Sequence, residues 1–343
     1  MVSLFRAEGK FLMETVDRKI LNNIQAAFPI TLRPYYMVGK KVGITEEEAW
    51  QRVRALRENG IIRRIGGIFD SRRLGYITTL CTAEVPNTKI PVVGDLMQGI
   101  DEITHSYLRD HPKYNMWFTI IASSQQRIET IISNIRSALG GNRVYSLPAI
   151  RVFKLGVIFN LGNEDTQDQS RLMQARPWMN AGSNSPPAVT EYDKKLVRLL
   201  QEDLPYSITP YSDLADKLGI NVQIFLKSIQ RFQDRGIIRR LGAILAHRKS
   251  GFISNAMGVW DVPEEQVNET GMRMAEFKEV THCYQRHTFH DWPYNLFTMV
   301  HGKSDQECRE IIATISEATG INNYALLFSD KELKKTSMRY FNE

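Results

Sequence analysis

The sequence predicts an α+β fold written twice in one chain, each copy a three-helix module closing in a β-segment and then a βαββαβ module. Three observations carry this. Gly60-Ile61-Ile62-Arg63-Arg64-Ile65-Gly66 returns 176 positions later as Gly236-Ile237-Ile238-Arg239-Arg240-Leu241-Gly242, and Asp17/Asp193, Pro29/Pro205, Pro34/Pro210, Ile44/Ile220 and Gly75/Gly251 keep that displacement. Thr104-His105-x-Tyr107-x-Arg109 then meets Thr281-His282-x-Tyr284-x-Arg286, shifted by 177. Within each copy the apolar period changes from helical to alternating. A repeat this long exceeds the roughly 20–50 residues of a solenoid unit. The halves are therefore homologous domain pairs fused head to tail, expected to pair with each other as a pseudo-dimer about a pseudo-two-fold axis.

Val16, Ile20 and Ile24 give helical spacing over 15–28, and Leu196, Leu199 and Leu200 do so over 190–204, with Thr15 and Thr190 as expected caps. Helices over Pro34–Val42 and Thr45–Asn59 follow, matched by Pro210–Leu218 and Asn221–Arg235, with Gly43 and Gly219 at the turns. Three helices, a tight turn and the Ile-Ile-Arg-Arg segment make a winged helix-turn-helix pattern. Next come a strand over Tyr76–Val85, a helix over Lys89–Gly99, strands over Glu102–Arg109 and Trp117–Ala122, a helix over Ser124–Leu139 and a closing strand over Val144–Leu155. The second copy repeats this order from Phe252 to about Phe328. Such an order is that of a ferredoxin-like sandwich. Asn163–Val189 is polar, Pro-containing and aperiodic, and reads as a linker. The expected domains are 12–70, 71–160, a linker over 161–189, 190–246 and 247–335.

At 343 residues the chain is long enough for two or three domains. Its 43% hydrophobic and 24% charged residues are those of an ordinary globular protein. Cys81, Cys283 and Cys308 form no CxxC pair and are odd in number, which argues against a disulfide framework and a zinc site. No run approaches 18 apolar residues and no signal-peptide core opens the chain, so a reducing cytoplasm is expected, with no membrane partner. The net charge of +6 favours an anionic partner, either nucleic acid or a small molecule with many carboxylates or phosphates.

DNA is the poorer fit. The first recognition helix opens with Thr45-Glu46-Glu47-Glu48, which suits the positive helix end but faces a polyanion. The second offers Asn221-Val222-Gln223-Ile224-Phe225-Leu226, a packing surface with amides. Arg52, Arg54, Arg57 and Lys227 come later and read as a solvated face. The helix-turn-helix is expected to serve as scaffold or pocket wall.

Strand alternation places Ile103, His105, Tyr107 and Arg109 on one face, and Val280, His282, Tyr284 and Arg286 on its counterpart. These residues supply a titratable group, a hydroxyl and a fixed cation where a purely structural strand would carry aliphatics. A half-exposed strand with a satisfied histidine is the blander reading, and recurrence in both copies weighs against it. The copies then diverge into Asp110-His111-Pro112-Lys113-Tyr114-Asn115-Met116-Trp117-Phe118 and a longer His287-to-Gly302 stretch containing His290, Trp292 and His301. No HxxxH helix or Cys partner makes a dedicated metal site. Imidazoles and aromatics beside arginines suit a large, flat, anionic ligand.

The layout resembles the Lrp/AsnC-type transcription regulators over nearly the whole chain, which implies pairing through the ferredoxin-like modules. A narrower resemblance lies in His-x-Tyr-x-Arg followed by Trp292-Pro293-Tyr294-Asn295-Leu296-Phe297 and Met299-x-His301-Gly302. These look like the sirohaem decarboxylases, Lrp-like proteins of the haem d1 and alternative haem pathways. Tyr107-x-Arg109-Asp110-His111 with Asn115-x-Trp117-Phe118 resembles the partner subunit type, so the chain looks like a fused pair. His287 directly after Arg286 departs from the pattern, where proline is expected.

The resemblance implies removal of two acetate carboxyls from sirohaem to give 12,18-didecarboxysirohaem. It implies no cofactor, the iron tetrapyrrole being substrate with a histidine as candidate iron ligand, and homologous decarboxylase subunits as partners. The catalytic candidates are then His105, His111, His282, His287, Tyr107 and Tyr284. The substrate-binding candidates are Arg63, Arg64, Arg109, Asn115, Trp117, Arg239, Arg240, Arg286, His290, Trp292, Tyr294, Asn295 and His301. The first copy carries Ala122 where the other approaches His301, so the halves are expected to be unequal, the second having the fuller set. The competing readings are a haem- or tetrapyrrole-responsive Lrp-like DNA-binding regulator and an inactive carrier subunit.

Overall fold

The computed structural model describes residues 6–7, 10–11, 13–141, 143–155, 189–245 and 254–342. The expected linker, apart from Val189, and the expected strand start at Phe252 lie outside the described residues. The first copy runs β1 (Arg6–Ala7), β2 (Lys10–Phe11), α1 (Thr15–Ala26), α2 (Pro34–Val42), α3 (Glu46–Glu58), β3 (Ile62–Phe69), β4 (Ile77–Ala83), α4 (Ile90–Gln98), β5 (Ile103–Arg109), β6 (Met116–Ala122), α5 (Gln125–Ala138) and β7 (Val144–Leu155). The second runs α6 (Glu191–Leu200), α7 (Pro210–Lys217), α8 (Val222–Asp234), β8 (Ile238–Leu245), β9 (Ser254–Trp260), α9 (Val267–Glu276), β10 (Val280–Arg286), β11 (Leu296–Gly302), α10 (Asp305–Thr319) and β12 (Tyr324–Lys335). Thr190 caps α6 in a reciprocal box with Asp193, as expected. At α1 the cap is Glu14, boxed with Asp17, and Thr15 is already the first helical residue.

The repeated Ile-Ile-Arg-Arg segment forms its ladder between the halves. β3 pairs antiparallel with β8, and Gly66 sits opposite Gly242, so the pseudo-dyad passes through equivalent residues. Glycine is required there by close approach. A Cβ on Gly66 would lie 2.6 Å from the Glu202 carbonyl oxygen, and one on Gly242 2.7 Å from that of Ile24. The chain just past each half's first helix hydrogen-bonds to the other half's strand, Leu204 N to Ile65 O and Phe28 N to Leu241 O, both at 2.8 Å. Arg64 Nη1 donates to Gln201 O at 2.8 Å and Arg240 Nη1 to Gln25 O at 2.5 Å. These two arginines, expected to bind substrate, instead serve carbonyls at the C-terminal ends of α6 and α1, where a cation is favourable. The six helices share one core, including Ile20, Leu56, Ile65, Leu196, Phe232 and Leu241.

The βαββαβ modules join more intimately than two stacked sandwiches. Each half has the strand order fourth-first-third-second: β7-β4-β6-β5 and β12-β9-β11-β10. Val144–Pro148 of β7 pair with β4, and Ala149–Leu155 continue onto β10 of the other half. Likewise Tyr324–Phe328 of β12 pair with β9 and Ser329–Lys335 with β5. The closing strand therefore runs to Lys335, past the expected end near Phe328, because its second part belongs to the partner sheet. The result is a closed eight-stranded barrel, which has no open edge. α4 and α5 cover one outer face through Val93, Met97, Ile128 and Ile135, and α9 and α10 cover the other through Met274, Ile312 and Ile315. A further cluster drawn from both halves, with Tyr114, Trp117, Leu147, Met257, Trp292 and Phe297, fills one region of the interior. Among the described residues no helix is long and apolar enough to cross a membrane.

Candidate active site

The inner faces of β5 and β10 carry the histidine motifs, and a bulge decides which residues lie there. The β5–β6 register shifts between Ile103 and His105, and the β10–β11 register between Val280 and His282. One extra residue reverses the alternation beyond it. Ile103 and Val280, expected beside the histidines, therefore pack outward in the helix-covered cores. Ser106 and Cys283 also face outward, toward Met97 and Gly271. His105, Tyr107 and Arg109 share the inner face with Trp117, which pairs with Tyr107, and His282, Tyr284 and Arg286 share theirs with Phe297, which pairs with Tyr284.

On the β10 wall, His282 Nδ1 lies 3.0 Å from Thr281 Oγ1, and His301 Nε2 lies 3.1 Å from the same oxygen. The His282 and Tyr284 rings stack at 6.1 Å, and the Arg286 guanidinium lies 4.7 Å from the Tyr284 ring centre. Arg286 Nη1 donates to Leu147 O at 2.5 Å, while its buried Nε has no partner among the described residues. The β5 wall repeats much of this. His105 Nδ1 is 3.0 Å from Thr104 Oγ1, Arg109 Nη1 donates to Leu327 O at 2.7 Å, and Arg109 Nε is likewise buried without a partner. Burial draws both guanidinium pKa values down to about 10, so both stay cationic at neutral pH. A buried cation with unused N–H groups is costly until an anion reaches it.

Three differences separate the walls. Opposite Tyr107 and His105 the other half's strand brings Glu332 and Lys335, which pair at 3.7 Å. Opposite Tyr284 and His282 it brings Val152 and Leu155. Burial and the Glu332 charge push the Tyr107 hydroxyl up to about 12. The strand register also corrects the sequence reading: Gly302 pairs with Ser254 as Ala122 pairs with Ile77, so the counterpart of His301 is Ile121, one residue before Ala122.

β5 and β10 lie on opposite sides of the barrel, four strands apart in the cycle. Burial pushes His282 down to about 3, helped by His301, Arg239, His105 and Arg286, so its imidazole is neutral at pH 7. Arg239 comes from β8 and is held by two bonds to Asp70 of the first half, at 3.2 and 3.0 Å. The helix-turn-helix layer thus supplies a cation to the histidine end of the barrel.

Comparison with known proteins settles the family. Residues 17–63 and 193–239 match the Siroheme decarboxylase NirDL-like HTH domain, and 73–154 and 249–334 match the AsnC-like ligand binding domain. A siroheme decarboxylase of Hydrogenobacter thermophilus is 33% identical over 328 residues, covering 95% of each chain. The chain belongs to the sirohaem decarboxylase family. A siroheme decarboxylase beta subunit of Methanosarcina barkeri is 48% identical over 147 residues, 43% of this chain and 97% of its own, which makes it the equivalent of one copy. A crystal structure of the siroheme decarboxylase NirDL, in co-complex with an iron-uroporphyrin III analogue, superposes with a TM-score of 0.71 at 30% identity, covering 96% of this chain and 95% of that one.

Not every candidate joins the inner wall of this decarboxylase fold. His111 Nδ1 accepts from Tyr114 N at 2.9 Å and Lys113 N at 3.2 Å, which places its proton on Nε2, and burial lowers its pKa. Its ring packs on Trp292 at 5.4 Å. His111 thus organises a loop. Asn115 and Asn295, expected on substrate, clamp the main chains of Val85 and Val262, each side chain both donating and accepting. Trp117 and Trp292 are buried 5.2 Å apart between the halves, with Tyr294 against Trp292 at 5.0 Å. Trp117 donates to Tyr114 O, whereas Trp292 Nε1 is buried without a partner among the described residues. Asp291 ties the two loops together by accepting from Tyr114, Arg143 and Lys113. His287, His290 and Arg63 are exposed, and Arg63 donates weakly to Lys335 O at 3.5 Å.

The sequence reading missed Thr281, Asp70 and the facing-strand residues Val152, Leu155, Glu332 and Lys335. Thr281 had a signal, since Thr-His repeats in both motifs. Asp70 had none, because the second copy carries Ala246 at that position.

Proposed function

We propose that this protein decarboxylates two acetate side chains of sirohaem, giving 12,18-didecarboxysirohaem for haem d1 or alternative haem synthesis, from the wall built by His282, Tyr284, Arg286 and His301. The observation that carries this reading is an imidazole tied through one hydroxyl to a second imidazole, beside a buried guanidinium with an unused N–H. A substrate rich in carboxylates answers the unused N–H groups of Arg286 and Arg109 and the field of Arg239. Each reaction breaks the C–C bond to one carboxyl. Carbon dioxide leaves as the electron pair passes into the macrocycle protonated at a neighbouring ring carbon, a second proton adds to form the new methyl group, and the ring-carbon proton is then released. One proton is consumed net per carbon dioxide, and in this reading His282 donates the one that forms the methyl group.

The low pKa of His282 in the free protein comes from burial and neighbouring cations, and an anionic substrate offsets the second of these. Tyr284, stacked between His282 and Arg286, orients the acetate. Iron enters with the substrate. No cofactor has a part in this scheme.

The regulator reading loses three of its four cations. Arg52 is engaged by Glu48, Glu14 and Asp17, Arg54 by Glu58, and Arg57 by Asp203. Phosphate contacts would have to displace those carboxylates. The test is anaerobic incubation with sirohaem, followed by mass spectrometry of the tetrapyrrole. We expect loss of two carbon dioxide units. Bound ligand of unchanged mass would support the carrier reading instead.

A further inference from the structure

We propose that Thr281 is a positioning residue for this reaction, its hydroxyl relaying protons from His301 to His282 on the β10 wall. The inference rests on the decarboxylase reading and adds a residue and a route to it. Thr281 Oγ1 lies 3.0 Å from His282 Nδ1, 3.1 Å from His301 Nε2 and 3.2 Å from Met299 O. A hydroxyl carries one proton and accepts up to two hydrogen bonds, so three partners use its whole capacity. When its proton points at Met299 O, both imidazoles donate to it. When its proton points at His282 Nδ1, it still accepts from His301 Nε2–H. From the second arrangement, passing the threonine proton to His282 Nδ1 and the His301 Nε2 proton to the threonine oxygen moves one proton from His301 to His282 without displacing a heavy atom.

The balance fits the chemistry. When His282 gives its Nε2 proton to substrate carbon, its Nδ1 takes the threonine proton. The threonine oxygen takes the Nε2 proton of His301, and a protonated His301 is left neutral. His301 then recovers one proton from solvent, and His282 exchanges its Nδ1 proton for one on Nε2 before the next turnover. One proton enters for each carbon dioxide that leaves, and nothing is oxidised or reduced.

The chain contains its own control. Thr104 stands 3.0 Å from His105 as Thr281 does from His282, but Ile121 occupies the register of His301, so the first copy has the hydroxyl without the second imidazole. The groups whose charges bear on His282 are His301, Arg239, His105 and Arg286, and substituting Thr281 removes none of them.

The experiment compares Thr281→Val, Thr281→Ser and Thr104→Val with the wild type by steady-state kinetics on sirohaem across pH. Thr281→Val is expected to lower kcat about tenfold or more with KM held, since general acid–base groups contribute about 10²–10⁴-fold and the relay carries a share of that. Thr281→Ser keeps a hydroxyl and should restore kcat to within about twofold, with Thr104→Val equally mild. Full activity in Thr281→Val would overturn the relay, and so would failure of Thr281→Ser to rescue. Parallel loss of kcat and KM would make Thr281 a structural residue only. An inactive wild type would instead overturn the decarboxylase reading, so the two failures are distinct.

Discussion

At the scale of the residue, burying His282 carries a stability cost. Its folded pKa of about 3 lies below the ordinary imidazole value of 6.5. Between those two values the unfolded chain binds the proton and the folded chain does not, so stability is complete above about pH 6.5 and falls as pH drops toward about 3. The slope has a ceiling of about 1.4 kcal/mol per pH unit, reduced by the partial exposure of the ring. Denaturant unfolding of wild type and His282→Gln at several pH values between those limits should give the steeper acid loss in the wild type. Parallel curves would show that His282 is not the neutral group described. At this scale much was legible: His282, Tyr284 and Arg286 stand in an alternation that no aliphatic strand needs. Asn115 and Asn295 misled because an amide that clamps a loop and one that binds a ligand look alike in sequence. Asp70 was invisible because its contact with Arg239 spans 169 positions and has no repeat counterpart.

Element boundaries were legible to within a few residues, because periodicity and capping act locally. Pairing was less so. Alternation along an unbroken pleat puts Ile103 and Val280 on the histidine face, whereas bulges at both positions turn them into the helix-covered cores. The β3–β8 ladder was likewise hidden, since its partner lies 176 residues away in the other copy. The glycines at its centre make that ladder testable. In Gly242→Ala the new methyl carbon would meet backbone carbonyl oxygens of Ile24 and Gln25, at 2.7 and 3.0 Å, which cannot rotate away. Thermal melts are expected to show a loss of about 1–3 kcal/mol, the usual cost of overpacking. An unchanged melting temperature would mean that the halves do not meet there as described.

At the scale of the molecule, duplication and fold class were legible from the repeat alone, and so was the expectation of unequal halves. The reason for the inequality was not. It lies in which residues each half lends the other: Glu332 and Lys335 reach the His105 wall, Val152 and Leu155 the His282 wall. The His105 wall thus faces an ion pair, and the His282 wall an apolar pair together with the second imidazole of His301. Fusion holds both exchanges in one chain, where the half-length relatives correspond to single copies. The central claim is that decarboxylation runs from the His282 wall. Its most direct test counts carbon dioxide released per bound sirohaem, anaerobically, by His282→Ala and His105→Ala, with binding measured alongside. We predict that His282→Ala binds sirohaem but loses both decarboxylations by about 10²–10⁴-fold, and that His105→Ala loses much less. Equal losses in the two variants, or full turnover by His282→Ala, would contradict the claim.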